Sequence, residues 1–361
     1  MTFDELFTFE NLYNAHLKAR KGKRRKTDVI EFENNISLYI WTLLYRLKNK
    51  SYKVSGYNRF YIYEPKKREI QALAYRDRIV QHCLCDEYLY PLLSARFIYD
   101  NGACQKGKGT DFVIKRLTKF MTDYNKKHGT KGWFLKADIH HFFPSIDHEI
   151  LKNMLSKLID DPDILELIFK IIDSFENEPG KGLPMGNQTS QLFALFYLNG
   201  IDRIIKEKYQ IKYYTRYMDD LILLHDDKQY LIKCLDEIKQ YAKDELKLEF
   251  NEKTQLIPTK NGVEYVGFHF YYTDSGKVLR RVRTSTKKRY KRKMKKLQSD
   301  YAAGEITLKE LQKSIPGFVG HLSRGHTYRL IKSVHNDFVL RQNTEDKNEK
   351  AVNSADGKEQ K

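Results

Sequence analysis

The sequence predicts an α+β fold divided into two or three packed subdomains. Two patterns alternate along it. Some segments repeat apolar residues at three- and four-residue steps, and others are short apolar runs separated by turn residues. Hydrophobic residues make up 41% and aromatics 13%, enough to bury an interior. At 361 residues the chain is too long for one compact core.

Residues 1–50 read as two helices around a basic bend. Lys18 to Lys26 carries seven cations in nine positions without the acids that usually balance a surface run, which suits phosphate contact as well as simple solvation. Residues 57–75 read as a β-hairpin with an extended continuation: Tyr57, Phe60, Ile62 and Ile70 are strand formers and Glu64-Pro65-Lys66-Lys67 supplies the turn. From Asp77 to Leu93 the period is helical, with Ile79, Cys83, Leu84, Tyr88 and Leu92 on one face, and 110–128 gives another helix. Trp133 to Asp138 is a short apolar strand ending in a carboxylate. Ser145 reads as the N-cap of a helix through Leu158, with Asp147 and Glu149 in its first turn. A Gly- and Pro-containing loop, 180–186, leads into a helix expected from about Thr189 to Lys208. Tyr213 to Leu224 is a second hairpin, its arms meeting at Met218-Asp219-Asp220. A helix over 229–247 places Leu231, Leu235 and Ile238 together, and 263–272 is a strand or strand pair. Lys277 to Lys296 holds twelve Lys or Arg and no acid, and the residues after Asn343 are too polar to bury surface, so 341–361 is expected to be disordered.

Charge narrows the partners. Lys and Arg exceed Asp and Glu by 65 − 47 = 18, which points to nucleic acid or an anionic membrane. No apolar run approaches the roughly 18 residues that span a bilayer, so nucleic acid is the expected partner. Met1-Thr2-Phe3-Asp4-Glu5 lacks the start of a secretion signal. Cys83, Cys85, Cys104 and Cys234 form no CxxC pair and no zinc spacing, as expected of reduced thiols in a cytoplasmic protein.

Three acids stand at strand ends: Asp138, and the adjacent Asp219 and Asp220. Neighbouring acids within a strand face opposite sides, whereas at a tight turn both can approach one place. Neighbouring carboxylates among apolar arms are costly without a cation, and hard Mg²⁺ takes a few such oxygens while keeping water and substrate phosphates. Taken alone, Asp-Asp at a turn is equally an ordinary surface turn.

The order of motifs changes the reading. Tyr217-Met218-Asp219-Asp220 is a Tyr-x-Asp-Asp box. Upstream lies Lys136-Ala137-Asp138-Ile139-His140-His141-Phe142-Phe143-Pro144-Ser145-Ile146-Asp147, and between them Gly182-Leu183-Pro184-Met185-Gly186-Asn187-Gln188-Thr189-Ser190-Gln191. Glu252-Lys253-Thr254 and Val263-Glu264-Tyr265-Val266-Gly267-Phe268 follow, and Lys67-Arg68-Glu69-Ile70 and Arg76 to Gln81 precede. These elements in this order, across about 57–335, resemble the reverse transcriptase family. The resemblance implies a right-hand polymerase with fingers, a palm with a small antiparallel sheet, and a short helical thumb. The fingers and N-terminal extension would take 1–130, the palm 131–275 with a fingers insertion at about 145–185, and a basic thumb 276–340. It implies RNA-directed DNA synthesis with two Mg²⁺ ions on Asp138, Asp219 and Asp220, the Ile139 backbone facing the metal. Lys67 and Arg68 would clamp the dNTP triphosphate, with Met185 and Gly186 beside the nucleotide. Phe143 would gate the ribose 2′-hydroxyl, though it also reads as a core Phe. Lys253 would protonate pyrophosphate, though it also reads as a surface Lys. Template and primer would meet Ser190, Gln191, Tyr265, Gly267, Lys287, Lys288, Arg289, Lys291 and Arg292.

The Gly-x-x-x-Ser-Gln loop after an aliphatic residue, the Phe-Phe-Pro-Ser-Ile-Asp run, Tyr99-x-x-Gly102-Ala103-Cys104 and Gly107-Lys108-Gly109-Thr110 look like the reverse transcriptases of diversity-generating retroelements. That lineage implies error-prone copying of a template-repeat RNA with a small accessory protein oligomer and a structured non-coding RNA. Met185 stands where Ile or Val is more usual there. The alternatives are an antiphage-defence or other bacterial reverse transcriptase of related lineage, and an idle RNA-binding scaffold. No maturase, endonuclease or RNase H region is expected after a thumb ending near 340.

Overall fold

The computed structural model describes residues 1–63 and 67–341. Most of the expected turn at Glu64-Pro65-Lys66, and the tail from 342, lie outside the described residues. The fold is α+β, as the sequence predicts. It divides into two compact units: Met1–Phe120 with Gly132–Leu256, and Met121–Lys131 with the chain from Ile257 onward. Among the described residues no helix is long and apolar enough to cross a membrane.

In the first unit the N-terminal region forms four helices rather than two: Phe3–Leu6, Phe9–Ala19, Thr27–Asn34 and Ile36–Lys48. Thr2 and Thr8 break the first stretch because each caps a helix; Thr8 Oγ1 accepts from the Asn11 N–H at 3.1 Å. Phe9–Ala19 buries Leu12, Ala15 and His16, and the Tyr75 hydroxyl meets His16 Nδ1 at 2.9 Å. The basic bend, 20–26, is a run of turns. The first expected hairpin forms as β1 (Asn58–Ile62) and β2 (Arg68–Ala72), antiparallel with Phe60 opposite Ile70. The helical run beyond it is Tyr75–Cys83, a π-helical turn Leu84–Leu89, and Tyr90–Ser94.

At the centre of this unit lies a four-stranded sheet in the order β4-β5-β3-β6, comprising β3 (Trp133–Asp138), β4 (Tyr213–Tyr217), β5 (Asp220–His225) and β6 (Gln255–Pro258). The chain passes from the first unit to the second within β6. Phe134, Leu135 and Ala137 of β3, and Leu221 to Leu224 of β5, are all buried. These strands are therefore covered on both faces, which is why they read as continuous apolar runs rather than alternating ones. The helix Lys228–Leu246 turns Leu231, Leu235, Ile238 and Ala242 inward, as expected.

Two expected helices differ. Ser145 is not an N-cap; it ends a single turn, Phe142–Ser145, and Ile146 is extended. The cap is Asp147, whose Oδ1 accepts from the Ile150 N–H at 3.1 Å, opening the helix His148–Ser156. Asp147 prevails because its other oxygen also takes Lys247 Nζ at 2.9 Å, a contact Ser could not make at that strength. The helix expected over 189–208 breaks at Leu198 into Gln188–Tyr197, Asn199–Arg203 and a π-helical turn Ile204–Lys208.

The second unit, which also takes in Met121–Lys131, resumes at Ile257. It contains a three-stranded antiparallel sheet, β7 (Val263–Tyr265), β8 (Phe268–Tyr272) and β9 (Val278–Val282). β9 occupies the start of the basic run that was expected to be helical: Val278, Leu279 and Val282 pair with β8, and Arg280 and Arg281 sit between them. The sheet belongs with the C-terminal helices because β8 packs on them. Phe268 lies 5.2 Å from the His321 ring, and the Arg280 carbonyl accepts from the His326 N–H at 2.8 Å. Helices Thr284–Ala302, Leu308–Leu322 and Tyr328–Asn336 share a core of Tyr290, Met294, Leu297, Leu322 and Val334.

The loop 99–102 lies along the free edge of β4. Gly102 N–H donates to the Arg216 carbonyl at 2.9 Å, and Arg216 N–H donates to the Asp100 carbonyl at 3.2 Å. A Cβ on Gly102 would stand 2.1 Å from Val113 Cγ1. Gly102→Ala is thus expected to destabilise the protein by about 1–3 kcal/mol, read as a lower urea midpoint; an unchanged midpoint would mean that the loop yields without cost.

Candidate active site

Strand pairing brings the acids together. Asp138, the last residue of β3, stands opposite Asp220, the first of β5, and Asp220 also stands opposite Tyr217 of β4. Met218 and Asp219 are left as a two-residue hairpin turn at the same end of the sheet. Met218 adopts φ +56°, a left-handed conformation uncommon for a side chain of its type. That turn breaks the alternation of the strand, so Asp219 does not follow the outward side of β5. Asp138 and Asp219 are half-buried and lie within each other's field. The Asp219 carboxyl is pushed up to about 6, first by burial and then by the charge of Asp138; Arg216 and Arg68 act in the opposite direction.

The far side of β3 is held by residues 249–251. The Asp138 carbonyl accepts from the Asn251 N–H at 2.7 Å, the His140 N–H donates to the Glu249 carbonyl at 2.8 Å, and Ile139 pairs with Phe250. Lys253 follows two residues later, exposed, its N–H on Asn251 Oδ1 at 3.0 Å. Phe143 is half-buried, its ring 5.6 Å from that of Phe142, and its carbonyl accepts from the Leu183 N–H at 2.9 Å. The loop beyond rests on β2. Met185 N–H donates to Gln71 Oε1 at 3.2 Å, and a Cβ on Gly186 (φ +120°) would meet Ile70 Cγ2 at 3.5 Å. Of the two expected clamp cations, Arg68 is the one whose charge is felt at Asp219; Lys67 Nζ instead lies over the Tyr61 ring at 4.6 Å.

The remaining expected site residues are described by their own surroundings. Ser190 is 2% exposed and faces the core, while Gln191 beside it is half-exposed. In the second unit Tyr265 is buried, and Gly267 adopts φ +92° with its Cβ position 3.5 Å from the His321 ring. On Thr284–Ala302, Lys287, Lys288, Lys291 and Arg292 are exposed and Arg289 is half-exposed, opposite the buried Tyr290 and Met294.

The donor set fits magnesium. Two hard carboxylates, one at the end of β3 and one in the turn between β4 and β5, are held in repulsion at a half-buried place that a divalent cation would neutralise. Among the described residues no three His, Cys, Asp or Glu side chains gather closely enough to hold an ion by themselves, so backbone, water and substrate oxygens would complete the shell, as Mg²⁺ favours.

The pair beneath the turn is not among the residues that the motifs mark. Arg216 and Asp202 are both fully buried and bonded to one another. The signal was present: a lone Arg in the run Tyr213-Tyr214-Thr215-Arg216-Tyr217 can be buried only with a paired acid.

A family model described as reverse transcriptase (RNA-dependent DNA polymerase) matches residues 63–270, more than half of the chain. The chain is similar to the group II intron-encoded protein LtrA of Lactococcus lactis subsp. cremoris, 23% identical over 263 residues, covering 70% of this chain and 42% of that protein. It is also similar to protein YkfC of Escherichia coli strain K12, 22% identical over 249 residues, covering 57% of this chain and 65% of that one. The chain thus spans less than two thirds of the length of either relative. Among solved structures, telomerase from Candida albicans in complex with a fragment of telomeric RNA is similar at a TM-score of 0.46 and 12% identity, covering 82% of this chain and 64% of that one. With the family's pattern spanning both acid-bearing strands and the loop between them, the chain belongs to the reverse transcriptase family.

Proposed function

We propose that this protein copies RNA into DNA, joining deoxynucleotides to a DNA or RNA primer by two-metal nucleotidyl transfer. The observation that carries the reading is the convergence of Asp138 and Asp219 at one end of a buried sheet, each within the other's field. Magnesium bound there would activate the primer 3′-hydroxyl and stabilise the departing pyrophosphate. Asp138 and Asp219 would hold it, with Asp220 completing the acidic cluster and the Ile139 backbone alongside. Arg68 offsets the triphosphate charge, and Lys67 is within one residue of the same task. Lys253 stands beyond the segment that braces β3 and would donate the proton that leaves with pyrophosphate. Met185 and Gly186 present backbone to the nucleotide from the loop seated on β2. Gln191 at the surface is better placed for template contact than the buried Ser190.

The first unit carries fingers and palm in this reading, and the second carries the thumb. The exposed cations of Thr284–Ala302 would take template–primer phosphates, a contact that weakens with salt; Tyr265 and Gly267 would shape the primer strand's support from within.

The loop Gly182 to Gln191 and the run Tyr99 to Cys104 favour the diversity-generating retroelement lineage, in which a template-repeat RNA is copied with errors opposite adenine, aided by a small accessory oligomer. An antiphage-defence role would use the same chemistry and differ in its RNA.

Primer extension on RNA with Mg²⁺ is expected from the purified chain and is expected to vanish in Asp219→Ala/Asp220→Ala. Full extension by the double variant would remove the acids from the mechanism. Phe143→Ala is expected to raise ribonucleotide incorporation by roughly 10-fold or more, the scale of a lost steric contact in a selective pocket; unchanged sugar selectivity would leave Phe143 as a core residue. Sequenced cDNA is expected to carry an excess of substitutions opposite template adenine, and an even error spectrum would count for the defence lineage.

A further inference from the structure

The hairpin turn that carries Asp219 is held from below. Arg216 is fully buried under it. Its Nη1 donates to the Met218 carbonyl at 2.9 Å, its Nε to Asp202 Oδ1 at 2.8 Å, and its Nη2 to the other Asp202 oxygen and to the Leu195 carbonyl at 3.3 Å. The Tyr214 hydroxyl donates to Asp202 Oδ1 at 2.5 Å. The backbone of Arg216 is fixed as well, paired with Leu221 of β5 on one edge and bonded to Asp100 and Gly102 on the other. Thr215 Oγ1 adds a bond to the Asp100 carbonyl at 3.0 Å, and the Asp100 carboxylate is itself tied to Arg116 Nε at 2.5 Å and Lys206 Nζ at 3.0 Å.

Such a pair is a poor device for stability, since well-packed apolar residues of similar volume often serve as well or better. An apolar pair cannot grip a carbonyl. The planar guanidinium can, because its fork meets a carboxylate on one side while a further N–H remains for the turn. The carbonyl it grips belongs to Met218, the left-handed residue immediately before Asp219.

We infer that Arg216 is a positioning residue for the polymerase reaction: through the Met218 carbonyl it fixes the turn, and so the place where the Asp219 carboxylate meets that of Asp138. Asp202 orients the guanidinium, and residues 100–102 hold its strand. This role rests on the polymerase reading, and the loop Tyr99 to Cys104 acquires a task in it as the outer brace of the acidic hairpin.

The test uses the full chain as wild type, Arg216→Lys, Arg216→Met/Asp202→Asn, and Asp219→Asn as the control lacking a ligand. Arg216→Lys keeps the buried charges balanced but loses the fork; the double variant removes both charges together, leaving none uncompensated. Folding is checked by circular dichroism and urea midpoint. Mn²⁺ binding is measured by electron paramagnetic resonance without nucleic acid, and kcat and KM for dNTP by primer extension. Both Arg216 variants are expected to fold, to bind Mn²⁺ roughly 10-fold or more weakly, as when a residue orienting a metal ligand is lost, and to lose kcat with KM unchanged. Folded variants that bind Mn²⁺ like the wild type would overturn the inference, and so would unfolding of both, which would assign the pair to stability. A wild-type protein binding no more Mn²⁺ than Asp219→Asn would instead sink the polymerase reading itself.

Discussion

Asp138 and Asp219 repel one another, and the first unit is arranged to keep them close. Separate carboxylates drift apart in water or take up protons when buried. Here the register of β3 with β5 puts Asp138 opposite Asp220, and the turn at Met218 brings Asp219 back to the same end. The Asp219 carboxyl is pushed up first by burial and then by this closeness to Asp138. Two carboxylates so held make a place that a divalent ion would improve, and the fold supplies the restraint that keeps them together.

The restraint is layered. Residues 249–251 hold β3 from one side, and loop 99–102 holds β4 from the other. Arg216 and Asp202 fill the space beneath the turn, where their charges cancel. The loop 182–187 is joined both to the turn Phe142–Ser145, through Leu183 and Phe143, and to β2, through Met185 and Gln71. The proposed gate, clamp and metal ligands therefore share one frame of backbone hydrogen bonds, completed by the side chains of Gln71 and Arg216.

Much of this was legible in the sequence, for physical reasons. The strand ending in Asp138 and the hairpin carrying Asp219 are short apolar runs bounded by acids, and the helices Thr110–His128 and Lys228–Leu246 have long, clear periods. Less was legible where two local signals competed. Ser145 and Asp147 are both good caps, and a tertiary contact with Lys247 decided between them. In β9, cations between Val278 and Val282 concealed the alternation of a strand. Ser190 sits in a motif that reads as functional, yet its position on the Gln188–Tyr197 helix turns it inward. The Arg216–Asp202 pair spans a helix and a strand fourteen residues apart; the run around Arg216 calls for an acid but does not say which one.

The proposed chemistry needs the two acids to share one metal site, and diffraction from crystals grown with primer–template, a non-hydrolysable dNTP and Mn²⁺ tests that most directly. Anomalous difference maps are expected to show two peaks about 3.5–4 Å apart, with oxygens of both Asp138 and Asp219 in contact with metal. A structure in which nucleotide is bound and metal lies on only one of these residues, with the other turned away, would contradict it.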